Sequence, residues 1–158
     1  MLNHSKLLLR NNMPLLQKIS DDIKSAMKAK DSAKLETLRM LKSEIGKKEI
    51  AKGKEVTDDE AFAILRTYAK QQEEGKENFA KGGRQDLVDK ATAEIALVKT
   101  YLPAAMSEAD IEIIAKAKIS ELNATAKDFG MVMKAVMAEV AGRAEGAAVT
   151  GVIKKMLQ

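Results

Sequence analysis

From Leu16 to Met156 the apolar residues of this chain recur every three or four positions. That spacing suits packed α-helices and little else. Phe129, Val132, Met133, Val136, Met137 and Val140 fall at i, i+3, i+4, i+7, i+8 and i+11, the arc of a helix that buries one side. No segment alternates for long enough to make a strand. Two Pro, five aromatics and no Trp in 158 residues disfavour an all-β sandwich. The abundant Ala, Leu, Lys, Glu and Met are strong helix formers. The expected fold is all-α, with an N-terminal helical domain of about four helices followed by a small C-terminal three-helix bundle.

Polar and glycine punctuation divides the pattern. A first helix buries Leu16, Ile19, Ile23 and Met27, and Asp31-Ser32 breaks it. A second runs from about Ala33 to Ala51 with Leu35, Leu38, Leu41 and Ile45 on one arc. Thr57 through Glu60 reads as a capping box, in which hydroxyl and carboxylate satisfy each other's free amides. It opens a third helix carrying Phe62, Leu65, Tyr68 and Phe79, which Gly82-Gly83 ends. A fourth presents Leu87, Ala91, Ile95 and Val98 and stops before Tyr101-Leu102-Pro103, because the residue before Pro is driven out of the helical region. Ser107 through Asp110 opens a fifth, with Ile111, Ile114, Ala115, Ile119 and Leu122. Thr125 caps a sixth, Gly142 terminates it, and Val149, Val152, Ile153 and Met156 mark a seventh. The expected divisions are a disordered extension over 1–12, a helical domain over 13–103 and a three-helix domain over 104–158.

Several chemistries lack their residues. The chain has no Cys and one His, His4, which removes thiolate nucleophiles, Ser-His-Asp triads and Cys- or His-rich metal sites. It holds neither a GxxxxGK[ST] nor a GxGxxG loop. Neither a metal nor a cofactor is expected. Asp58-Asp59-Glu60 and Glu73-Glu74 are the available carboxylate pairs, and helix-surface charge explains them better than acid–base catalysis. No apolar run approaches the roughly 18 residues of a membrane span, so no membrane partner is expected.

Charge is unevenly placed. Residues 1–103 carry 20 basic and 16 acidic side chains, and residues 104–158 carry seven of each. Between Lys24 and Lys54 there are ten basic residues and four acidic ones. Such a stretch is either a phosphate-facing surface or a lysine-rich solvated helix face. Residues 1–20 contain no acid, which fits an organellar transit segment. A start at Met13 preceded by a short extension fits as well, and a cytoplasmic protein is the favoured expectation.

Five segments together point to a family. They are Leu38 through Ile45, Phe79 through Val88, Tyr101-Leu102-Pro103, Gly130 through Met137, and Gly142 through Gly146. Their order and content resemble the YqeY-like proteins of the GatB/YqeY family, from about Met13 to Leu157. The resemblance implies an all-α protein whose C-terminal domain is similar to the tail of the B subunit of glutamyl/aspartyl-tRNA amidotransferase. A similar module is attached to some glutaminyl-tRNA synthetases. A carbon–nitrogen ligase label with glutamine as amido donor would follow from the family name, yet no residues for that chemistry are present. The implied role is a non-catalytic tRNA-binding accessory module working beside an aminoacyl-tRNA synthetase or amidotransferase subunit. The alternative is a protein–protein adaptor that uses an apolar groove of the C-terminal domain.

The resemblance also implies site residues. Arg39 and Lys42 match family positions and share a helix side, where they hold phosphate or pair with Glu36 or Glu49. Arg84 matches too, with a capping or packing role as its alternative. Gly142-Arg143 leads toward the seventh helix, whose free amides could receive a phosphate. Gly130 and Gly146 match family glycines that allow close approach or helix packing. Lys127, Lys134 and Lys154 are candidates to track a nucleic-acid backbone. The departures are Gln72-Glu73 in place of a basic pair, Glu139 and Ala141 where a lysine is usual, and Ala147 after Gly146. Glu145 would also repel a phosphate at that helix end. These changes shift the expected RNA surface from the C-terminal domain to the Lys24–Lys54 face.

Overall fold

Short polar caps decide where each helix of this chain begins. The computed structural model describes residues 14–158, and within them every regular element is helical. The expected extension over 1–12 and the start at Met13 lie outside the described residues. The helices are α1 (Leu15–Lys28), α2 (Ser32–Lys52), α3 (Asp58–Lys81), α4 (Gln85–Lys99), α5 (Glu108–Glu121), α6 (Phe129–Val140) and α7 (Gly146–Met156). A 3-10 turn, Ala126–Asp128, precedes α6. The chain divides into two compact units at Tyr101–Leu102.

In the first unit, α1 and α2 form one hairpin and α3 and α4 another. Asp31 accepts from the Lys34 amide and so caps α2, while Gly53 ends it at φ 71°, a left-handed conformation that favours glycine. The Thr57–Glu60 capping box is present at the start of α3. Asp58, one residue into that helix, accepts the Leu15 amide at 3.1 Å and satisfies the start of α1 from outside. The core is built from Leu15, Ile19 and Ala26 of α1, Leu38, Leu41 and Ile45 of α2, Ala61 and Leu65 of α3, and Ala91, Ile95 and Val98 of α4. Each large aliphatic side chain buried here contributes about 1.5–3 kcal/mol.

The arc expected for α1 is displaced. Leu15, Ile19, Asp22 and Ala26 are its buried residues, Leu16 and Ile23 are half-buried, and Met27 is 53% exposed. The cause is Asp22. Its carboxyl accepts the Tyr101 hydroxyl at 2.5 Å inside the protein, so a residue that hydropathy counts as outward holds the middle of the inward stripe.

In the second unit, α5, α6 and α7 pack around Ile111, Ala115, Val132, Val136, Val140, Val149, Val152 and Ile153. Ser107 and Asp110 form the capping box of α5. Thr125 caps the 3-10 turn rather than α6, through the Asp128 carboxylate, and α6 starts at Phe129. The end of α6 is a left-handed pair, Ala141 at φ 48° and Gly142 at φ 74°. Ala141 takes this conformation without being glycine, at a cost of roughly 1–2 kcal/mol. The turn brings Arg143 back over the helix it follows.

Candidate nucleic-acid interface

The four carboxylates between Lys24 and Lys54 are all occupied by the fold. Asp31 caps α2. Glu36 receives Lys90 of α4 at 3.2 Å. Glu44 receives Lys47 at 2.6 Å. Glu49 accepts the Val56 amide at 3.3 Å. The cations of the same stretch are mostly left over. Lys24, Lys47 and Lys52 have carboxylate partners. Lys28, Lys30, Lys34, Arg39, Lys42, Lys48 and Lys54 have none within ion-pair distance among the described residues. All of these except Lys34 are exposed. A surface of this kind holds positive potential that its own acids do not cancel.

Arg39 and Lys42 therefore do not pair with Glu36 or Glu49. Arg39 lines a shallow depression of about 480 Å³ on the outer side of α2, with Ser32, Leu35, Glu36, Met40 and Ser43. Lys42 lies three residues on and is exposed. One side of the helix thus presents a guanidinium, an ammonium and the serine hydroxyls, groups that contact phosphate oxygens in nucleic-acid complexes. The serines carried no signal in the sequence, because polar residues on a solvated helix face are ordinary.

The remaining candidates are distributed differently. Arg84 is the N-cap residue of α4, and its guanidinium forks onto Asp86 at 2.9 and 3.0 Å. This is an exposed ion pair, and the Arg84 side chain makes no capping bond to the helix. The Asp86 carboxyl is held below its usual range by that guanidinium. Arg143 donates to the Val140 and Glu139 carbonyls, both at 3.0 Å, and so closes the C-terminus of α6. Gly142 is buried and supplies the left-handed turn. The α7 N-cap is Glu145, three residues beyond Gly142, and its side chain makes no capping bond. Lys127, Lys134 and Lys154 are exposed, on the 3-10 turn, α6 and α7 in turn. Gly130 and Gly146 are helical, with open space where a Cβ would stand.

The carboxylate pairs have structural work. Glu60 accepts the Thr57 amide and pairs with Lys52 at 2.5 Å, and these donors hold its carboxyl down at about 2. Glu73 bridges Lys76 and Lys99. Tyr68 donates to Glu94 at 3.1 Å, and burial, reinforced by that carboxylate, pushes its phenol up. Among the described residues no cluster of His, Asp and Glu is placed to hold a metal ion. No helix there is long and apolar enough to cross a membrane.

The family model described as Yqey-like protein matches residues 16–157. Three of the similar curated proteins are each named altered inheritance of mitochondria protein 41, mitochondrial. The one from Lachancea thermotolerans is 40% identical over 111 residues, covering 66% of this chain and 55% of its own length. The one from Eremothecium gossypii is 37% identical over 116 residues, covering 70% and 62%. The one from Pyrenophora tritici-repentis is 27% identical over 133 residues, covering 82% and 73%. The chain thus spans between about half and three quarters of these relatives. With nearly its whole length matched, the chain belongs to the YqeY-like protein family.

Proposed function

We propose that this protein is a non-catalytic tRNA-binding accessory module, acting beside an aminoacyl-tRNA synthetase or a tRNA-dependent amidotransferase and contacting tRNA through α2. The observation that carries the reading is the imbalance on that helix. Every carboxylate between Lys24 and Lys54 is engaged within the fold, and Arg39 and Lys42 stay exposed without a carboxylate partner. Free cations beside hydroxyls on a rigid helix supply the sequence-independent part of RNA affinity. In the second unit Arg143 is committed to capping α6, which weakens the case for a phosphate site before α7.

The compartment follows the relatives' names, which say mitochondrial. That fits the organellar alternative suggested by the acid-free first twenty residues, and lends the cytoplasmic expectation no support.

The competing reading is a protein adaptor. It is favoured by one feature, a groove of about 600 Å³ along the α2–α3 seam, where Ala51, Ala63 and Ile64 stand beside the charged Glu44, Lys47, Lys48 and Glu60. This groove lies in the first unit, whereas the adaptor expectation concerned the C-terminal domain.

Fluorescence anisotropy of labelled tRNA, with unlabelled tRNA and an unstructured RNA of equal length as competitors, separates the two. The module reading expects binding that folded tRNA competes best and that Arg39→Glu or Lys42→Glu reduces by about tenfold or more. Absence of binding even at about 50 mM salt, where the counterion contribution is greatest, would refute it.

A further inference from the structure

We infer that the RNA element recognised by α2 is a double helix, gripped by its phosphate backbone at Arg39, Lys42, Ser43 and Gly46. This rests on the accessory-module reading and specifies its ligand. The four residues fall at i, i+3, i+4 and i+7, so they share one side of the helix. Gly46 is the member without a side chain, and it shares its open surroundings with Gly130, Gly146 and Gly151. A glycine inside a helix weakens it relative to almost any other residue except proline. Glycine is tolerated where a neighbour would collide with a Cβ, yet a Cβ built at Gly46 meets nothing within 4 Å. Neither does this glycine turn the chain, since it lies within α2 and is absent from the left-handed glycines. Packing within the unit gives no reason for it. Half-buried and without a side chain, Gly46 lies one turn beyond Lys42 and two beyond Arg39, where an external chain can approach the backbone closely. The flanking groups, a guanidinium, an ammonium and the Ser43 hydroxyl, are donors suited to phosphate oxygens and 2′-hydroxyls.

The aromatic side chains point the same way. Single strands are held by stacking their bases on exposed aromatic rings. Tyr101 is buried, and Phe62, Tyr68, Phe79 and Phe129 are half-buried, so none of the chain's three Phe and two Tyr is exposed. Tyr68 is further committed to Glu94. Recognition then depends on helix shape and backbone charge, which is how double-stranded RNA is read.

The test is anisotropy of a blunt RNA duplex of about 16 base pairs, of each strand alone and of tRNA, titrated with the full chain at about 50 mM salt. The duplex should bind roughly tenfold or more tighter than either strand. Gly46→Gln should raise the thermal midpoint, because glutamine is the better helix former, and still weaken duplex binding by roughly fivefold or more. A structural glycine would lose stability along with binding. Arg39→Gln should weaken duplex binding without lowering the midpoint. Single strands that bind as tightly as the duplex, or a Gly46→Gln protein with unchanged duplex affinity, would overturn the inference. If tRNA binds and the duplex does not, this inference fails and the module reading stands. If none of the RNAs binds, both fail.

Discussion

Replacing Tyr101 with phenylalanine removes a single oxygen from the first unit, and the structure fixes what that oxygen does. The Tyr101 hydroxyl donates to Asp22 at 2.5 Å, joining the end of α4 to the middle of α1 across 79 residues of sequence. Tyr101 is 6% exposed and Asp22 9%, so water replaces the lost donor poorly. The phenylalanine ring fills the same space, so no cavity term enters. Lys18, whose Nζ lies 5.6 Å from the ring centroid, keeps its cation–π contact. The change removes the buried hydrogen bond to Asp22, and its loss costs between about 1 and 3 kcal/mol. Urea unfolding followed by circular dichroism should show a loss of about 2 kcal/mol in the transition of the first unit. Asp22→Asn keeps an acceptor for the hydroxyl and should cost less. Asp22→Ala removes the acceptor, and the double variant of Tyr101→Phe with Asp22→Ala should reveal a coupling of about 1 kcal/mol or more. A Tyr101→Phe change below about 0.5 kcal/mol, or strict additivity with Asp22→Ala, would show that the pair contributes nothing.

Other consequences are equally direct. Glu60 is depressed from 4.5 to about 2, and its hydrogen bonds therefore contribute stability that is complete above about pH 4.5 and drains away as the pH falls toward 2. Glu73, Asp86, Asp110 and Asp128 are lowered as well and act with the same sign. Thermal midpoints measured across this range should fall with acid, and a Glu60→Gln protein should show a shallower fall; identical profiles would contradict the assignment. Ile153→Ala should cost the second unit about 2–5 kcal/mol, since Ile153 is 0% exposed in its core. A unit of this size has little stability to spare, so partial loss of helical signal at ambient temperature is expected, and an unchanged unfolding curve would count against the packing described. Arg143→Gln should lower stability by about 1 kcal/mol through the freed carbonyls of α6. It should leave tRNA affinity nearly unchanged, and a large drop in affinity with unaltered stability would return Arg143 to the RNA surface.

The all-helical class was readable because one period runs through almost the whole chain, and the Thr57 and Ser107 caps could be found because capping is local chemistry. The register of α1 was not readable. A buried Asp22 depends on a tyrosine 79 positions away, and no local pattern reports such a pair. The same limit governs the site. Spacing put Arg39 and Lys42 on one helix side. That Glu36 is taken by Lys90 of α4, leaving both cations without it, is a tertiary fact. Gly46 carries no signal in the sequence, since only the open space around it shows that no packing neighbour requires a glycine there. Arg143 misled for the opposite reason. Its place before α7 suggested a phosphate site, whereas the left-handed pair Ala141-Gly142 turns its guanidinium back onto α6.

The salt dependence of tRNA binding reports whether the α2 cations hold phosphates. Affinity should be measured by anisotropy between about 50 and 200 mM salt for the unaltered protein and for an Arg39→Gln/Lys42→Gln variant, with thermal unfolding confirming that both are folded. If these side chains hold phosphates, the plot of log affinity against log salt becomes shallower by about one unit for each, two in all. Parallel plots would contradict the claim, because they would mean that the same number of counterions is released with or without the α2 cations.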